Sequence, residues 1–142
     1  MPFVYPRASP ASIDSPAMRG AGRELLSLAL MDARNHTLYL LGLYEKVLGA
    51  TKMAAPQPAE VEPVLWLAGH VGWFAEFWIA RNTQRMLGRA CPHEPMHLAS
   101  IEPHADRWWD PQQAAHDDRW TLDLPDLAAT RAYMLETLES TL

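Results

Sequence analysis

The chain has 142 residues, a single domain's worth, and its 49% hydrophobic and 20% charged residues exclude a wholly disordered chain. A formal net charge of -5 argues against general binding of nucleic acid or of an anionic membrane surface. The lone Cys91 excludes an internal disulfide framework and fits a reducing compartment, so the expectation is a cytoplasmic protein.

Residues 1–15 are rich in Pro, Ser and Ala and have no apolar h-region, which predicts a disordered leader and not a signal peptide. Ser15-Pro16 signals a helix start, an N-cap followed by proline at the first helical position. From Arg23, the residues Leu26, Leu30, Ala33, Thr37, Leu40, Leu41, Tyr44 and Leu48 follow the helical period. Gly49 is placed to stop this first helix, whose span of about 30 residues suits a bundle.

Residues 50–61 form a connector holding Pro56 and Pro58. Glu62-Pro63 then opens a second helix, with an acid near the positive end of its dipole. This segment is apolar nearly all round as far as Ala80, which predicts burial on most faces, and Gly88 is expected to end it. Its least charged stretch, 63–75, is too short to span a bilayer.

Residues 89–122 carry no long periodic segment and are expected to form a long loop, a feature that inside a compact domain is usually either functional or a disordered excursion. Asp110-Pro111 is placed to start a short helix through about Asp118. Asp123 or Leu124, before Pro125, opens the last helix, with Leu127, Met134, Leu138 and Leu142 at helical spacing. No strand signal or internal repeat is present. The class is all-α with three long helices, and the last pattern is still running at Leu142, so the bundle is expected to lack a fourth helix.

On the second helix Trp66, His70, Trp73, Phe74 and Phe77 share one face by i, i+3, i+4 spacing. A histidine in such an aromatic stripe is either a core residue hydrogen-bonded to a carbonyl or carboxylate, or a metal ligand projecting into the bundle. One imidazole is not a site, and at least two further ligands must come from elsewhere.

Other candidates read more blandly. In Cys91-Pro-His93-Glu-Pro-Met-His97, two prolines forbid the helix that would bring His93 beside His97. His104 and His116 lie too far apart for spacing to decide anything, and His116 reads as a loop residue or a substrate contact. Trp108 and Trp109 either anchor the loop or offer an aromatic surface to a cation. Glu60, Glu62, Asp117 and Asp118 read as solvated surface. There is no phosphate loop, nucleophile elbow or paired-carboxylate signature.

The segment Pro63-Val-Leu-Trp-Leu-Ala-Gly-His70-Val-Gly-Trp-Phe-Ala-Glu-Phe-Trp78 resembles the second helix of the DinB-like domain that begins ergothioneine-synthase-type (EgtB-like) non-haem iron enzymes. Asp32-Ala-Arg-Asn-His36-Thr-Leu resembles the family's first helix. Asp106-Arg-Trp-Trp109, His116-Asp-Asp-Arg-Trp120 and Leu124-Pro-Asp-Leu-Ala-Ala-Thr-Arg-Ala-Tyr133 resemble its long loop and third helix. Within the family the chain looks closest to selenoneine synthases, over roughly residues 20–142.

The resemblance implies that residues 16–142 are part of a DinB-like bundle with a long loop at about 89–122. It implies Fe(II) held by three histidines, of which His70 matches the first. The other two lie in a His-x-x-x-His motif on a fourth helix, followed by a C-terminal domain similar to formylglycine-generating enzymes. Neither is present in this sequence. The resemblance thus implies the N-terminal part of an enzyme that joins sulfur or selenium to the imidazole ring of hercynine, a trimethylated betaine, using a thiol or selenol donor. By itself it would be inactive. Trp66, Trp73, Phe74 and Phe77 would form the dry wall around His70. The alternatives are a non-catalytic helical interaction or dimerisation module, pairing through the uncovered face, or a small DinB-type protein completed by ligands from a partner chain.

Overall fold

The computed structural model describes residues 15–49, 53, 57 and 60–142. The expected leader, apart from Ser15, and most of the 50–61 connector lie outside the described residues. The described chain is predominantly helical, and its one β-type pairing among the described residues is an isolated antiparallel bridge between Asn82 and His97. The all-α expectation holds at that level. No helix among the described residues is long and apolar enough to cross a membrane.

The first predicted helix is split. Ser15 caps a short 3-10 turn, Pro16–Gly20, with its hydroxyl accepting from the Ala17 N–H at 3.3 Å. Ala21 and Gly22 are extended, and helix α1 runs over Arg23–Leu48. Gly20 and Gly22 explain the break, because glycine gives up more backbone freedom in a helix than any other residue. Gly49 closes α1 with φ +79°, a conformation that costs other residues, so the predicted stop is correct.

The buried face of α1 matches the predicted one only at Leu41 and Leu48. Leu26, Leu40 and Tyr44 are exposed, whereas Arg34 and Leu41 are buried and Leu38 and Leu48 pack on the core. Apolar residues are spread round most of this helix, so periodicity alone did not single out a face. Two arginines turn it: Arg34 Nη1 donates to the Met134 carbonyl and, at 3.3 Å, to Thr137 Oγ1, and Arg131 Nη2 reaches Glu45 Oε2 at 2.6 Å. Burial lowers the Arg34 pKa from its ordinary value.

Helix α2, Val64–Ala75, follows Pro63 and continues as one wider π turn, Glu76–Ala80. It ends there and not at Gly88, which lies at φ +55° inside a separate 3-10 turn, Arg85–Ala90. As expected, α2 is buried on most of its faces. Leu67, Phe74, Trp78 and Ile79 are exposed, leaving one apolar face open. The short helix α3 spans Ala105–Trp109, so Asp110 ends a helix where it was expected to begin one. The Asp110 carbonyl accepts from Gln113 and Ala114 N–H at 3.0 and 2.8 Å, making a turn before the 3-10 segment His116–Trp120.

Helix α4, Leu127–Thr141, is capped by Asp126, whose Oδ1 accepts from Ala129 N–H at 2.8 Å. The cap therefore follows Pro125, where it was expected to precede it. Leu127, Met134 and Leu138 are buried as expected, and Leu142 is exposed.

Helices α2 and α4 pack face to face. Gly72 lets them approach: a Cβ there would sit 3.0 Å from Tyr133 Cε1 and 3.1 Å from Thr137 Oγ1. Two apolar clusters fill the interior. Leu41, Met53, Leu65, Ala68, Leu127 and Met134 form the first, and Trp66, Trp73, Ala105, Trp109 and Tyr133 the second. The second cluster carries the candidate site.

Candidate functional site around His70

The predicted aromatic face of α2 is assembled as a ladder of rings. His70 stacks on Trp66 at 4.9 Å and on Trp73 at 5.6 Å between ring centroids, with Phe74 edge-on at 6.2 Å. Trp73 stacks on Phe77 at 4.7 Å, and Phe77 on His97 at 3.8 Å. His70 is half-buried, as is Phe77, while Phe74 is open on the outer side.

One hydrogen bond orients the His70 ring. Its Nδ1 lies 2.9 Å from the Trp109 carbonyl oxygen, which can only accept, so Nδ1 carries the proton. The Nε2 lone pair is left free, with no hydrogen-bond partner among the described residues. A ligating histidine is characteristically held in this way, through its other ring nitrogen. The same bond also satisfies the core-histidine alternative.

The carbonyl is placed by Trp109, which is 1% exposed and stacks on Tyr133 at 4.5 Å. Its indole lies over Gly69, where a Cβ would fall 2.1 Å from Cε2 and Nε1. Only glycine fits. Trp66 completes the arrangement by donating its Nε1–H to the Trp108 carbonyl at 2.6 Å. Of the two expectations for the Trp pair, Trp109 realises loop anchoring.

Two polar clusters that sequence reasoning missed pin the loop to α2 and α4. Glu76, 1% exposed, accepts from Ser100 Oγ at 2.7 Å, Ile101 N–H at 2.8 Å and Tyr133 Oη at 2.7 Å. Burial, with the Glu76 carboxylate beside it, pushes the Tyr133 phenol well above its ordinary pKa. Arg81 grips Asp106 with both terminal nitrogens at 2.7 and 2.9 Å and donates Nε–H to the Leu98 carbonyl at 2.7 Å. Trp73 Nε1–H adds a 2.7 Å bond to Asp106 Oδ1. The one acid between Glu62 and Glu94, set in an apolar helix, was the available signal for Glu76. For Asp106 the nearby Trp-Trp pair was the only hint.

The Arg81 guanidinium and the Trp73 indole hold the Asp106 carboxyl below the usual range, against some desolvation. A carboxylate with a depressed folded-state pKa adds stability that is complete above its unfolded value of about 3.9 and lost as pH falls through the folded value. Asp106→Asn is therefore expected to lower stability near neutrality and to flatten the acid limb of a Tm-versus-pH profile below about pH 4. An acid limb as steep as that of the parent chain would show that this pair does not govern it.

The remaining histidines do not join His70. His93 and His104 are exposed, and His104 Nδ1 faces Glu102 at 3.2 Å. His97 packs on Phe77 with a buried, unpartnered Nε2, and desolvation together with Arg81 lowers its pKa. His116 bridges Val61 and Asp117. Among the described residues no group of three His, Cys, Asp or Glu side chains is placed to hold a metal ion. His70 offers one free ring nitrogen, and the described residues do not complete a metal-binding set around it. Glu62, expected to be solvated, is instead half-buried against Arg119 Nη1 at 2.6 Å.

Comparison with models of known protein families finds no match, and comparison with curated proteins finds none either.

Proposed function

We propose that this chain is the N-terminal, His70-bearing part of a DinB-like, ergothioneine-synthase-type non-haem iron enzyme, in which sulfur or selenium is joined to a hercynine-type betaine. The observation that supports this reading is the His70 ring itself. It is stacked between Trp66 and Trp73, its Nδ1–H is given to the Trp109 carbonyl, and its Nε2 is left with a free lone pair. The resemblance of 63–78 to the family's second helix supplies the metal and the substrate class. Iron, when bound, would supply a Lewis-acid centre, and this chain's contribution is one oriented imidazole and its aromatic wall. The other ligands come from outside the described residues.

Anaerobic titration of Fe(II), or of Co(II) as a paramagnetic substitute, followed by NMR tests the reading. One imidazole holds a divalent ion only weakly, so binding in the millimolar range is expected. It should broaden His70 before any other histidine and vanish in His70→Ala. Broadening centred on His93 and His97 would contradict the assignment.

A second reading has its own support, exposed apolar side chains on two helices. Leu67, Phe74 and Trp78 on α2 and Leu25, Leu28, Leu43 and Val47 on α1 are exposed. Such side chains are what a helical interaction or dimerisation module would use. Light scattering separates the readings, because such a module self-associates at micromolar concentration with or without metal.

A further inference from the structure

The segment 110–122 closes over the start of α2 through a cluster that neither core contains. His116 Nε2 lies 3.0 Å from the Val61 carbonyl oxygen, and Nδ1 lies 2.9 Å from Asp117 Oδ1. A carbonyl and an ionised carboxylate only accept, so both contacts together require a proton on each ring nitrogen. A neutral ring can keep one of them and must give up the other. The charged groups facing this ring are Asp117 on its own segment and Glu62 at the start of α2. Arg119, the nearest cation of the segment, is occupied by Glu62 Oε1 at 2.6 Å and the Ala114 carbonyl at 2.9 Å. Trp120 lies edge-on to the imidazole at 4.9 Å.

We propose that His116 is a proton-operated latch, fastening the 110–122 segment to the start of α2 as imidazolium and loosening it as the neutral ring. The latch is mechanically linked to the aromatic site. The guanidinium of Arg119 lies 3.9 Å from the ring centre of Trp66, which stacks on His70 and holds the Trp108 carbonyl. Opening this segment removes the cation from Trp66 and frees the chain just after Trp109, whose carbonyl orients His70. Asp117 and the Val61 carbonyl both favour the charged ring and raise its pKa, so the change falls in the range where histidine can act as a switch. The latch belongs to the loop and operates whether or not His70 binds iron.

The test is a histidine NMR titration from about pH 5.5 to about pH 8.5, paired with amide hydrogen exchange corrected for intrinsic rates. The expected result is titration above the ordinary histidine value of about 6.5, with Arg119 and Trp120 amides exchanging about tenfold faster above the midpoint than below it. The Trp66 indole N–H shift should follow the same midpoint. His116→Gln should abolish the pH dependence of both readouts. Asp117→Asn, which leaves the Val61 contact in place, should move the midpoint down without unfolding the loop. Titration at or below the ordinary value, or loop exchange that is indifferent to pH, would overturn the latch. So would a pH response that survives in His116→Gln.

Discussion

Gly69→Ala is expected to destabilise the protein by about 3 kcal/mol, a large effect for a single methyl group. In an open helix the same change stabilises by roughly 0.5–1 kcal/mol, because alanine loses less backbone entropy than glycine. Here the new Cβ would fall 2.1 Å from the Trp109 indole, a ring that is 1% exposed and stacked on Tyr133. The ring has nowhere to go without opening the core. Two other α-helical glycines calibrate the result. At Gly72 the nearest atoms are 3.0–3.2 Å away, so the outcome should lie within about 1 kcal/mol of neutral. At Gly42 the nearest atom is Arg131 Nη2 at 3.9 Å, so alanine should stabilise by about 0.5–1 kcal/mol. Urea denaturation of the three variants checks the order. Gly69→Ala should also perturb the His70 ring resonances, since the displaced tryptophan carries the carbonyl that orients them.

Glu76→Ala is expected to cost about 3 kcal/mol or more, through a different mechanism. Its carboxylate accepts from Ser100 Oγ, the Ile101 N–H and the Tyr133 hydroxyl, and truncation leaves these donors buried without a partner. Glu76→Gln keeps the shape and one acceptor oxygen, and should recover part of the loss. Tyr133→Phe removes a single donor, and a cost of about 1 kcal/mol is expected. Thermal or urea unfolding of the three variants should rank them in that order. Equal stability of Glu76→Ala and the parent chain would mean that the loop is not held through this carboxylate.

The parts of the fold that follow helical period were legible in the residues. The aromatic face Trp66, His70, Trp73, Phe74 and Phe77 could be read from spacing alone, because i, i+3 and i+4 neighbours on one helix meet whatever surrounds them. The core positions Leu127, Met134 and Leu138 were equally open to inspection. Residue chemistry also located Ser15 as a cap and Gly49 as a stop.

Features set by contacts between distant segments were not legible. The face of α1 that packs inward is chosen by Arg34 and Glu45, which meet α4 residues 103 and 86 positions away, a pairing that no local pattern encodes. Helix α2 stops at Ala80 because Arg81 turns to Asp106 and Leu98, partners that lie well along the chain. The long loop, read as lacking a long periodic segment, holds only short helical turns but is firmly tied down. Its ties to Glu76, Arg81 and Trp66 each join residues more than fifteen positions apart. Gly69 beside His70 could be seen in the sequence, but its need for glycine became clear only with Trp109 in place over it.

The role given to His70 is tested most directly by its tautomer, read by long-range proton–nitrogen correlation at neutral pH. The Trp109 carbonyl at 2.9 Å predicts a protonated Nδ1 and an unprotonated Nε2, the form in which Nε2 can ligate a metal. Gly69→Ala should mix the tautomers by moving that carbonyl. A His70 ring carrying its proton on Nε2 in the parent chain would contradict the assignment of this imidazole as an oriented ligand.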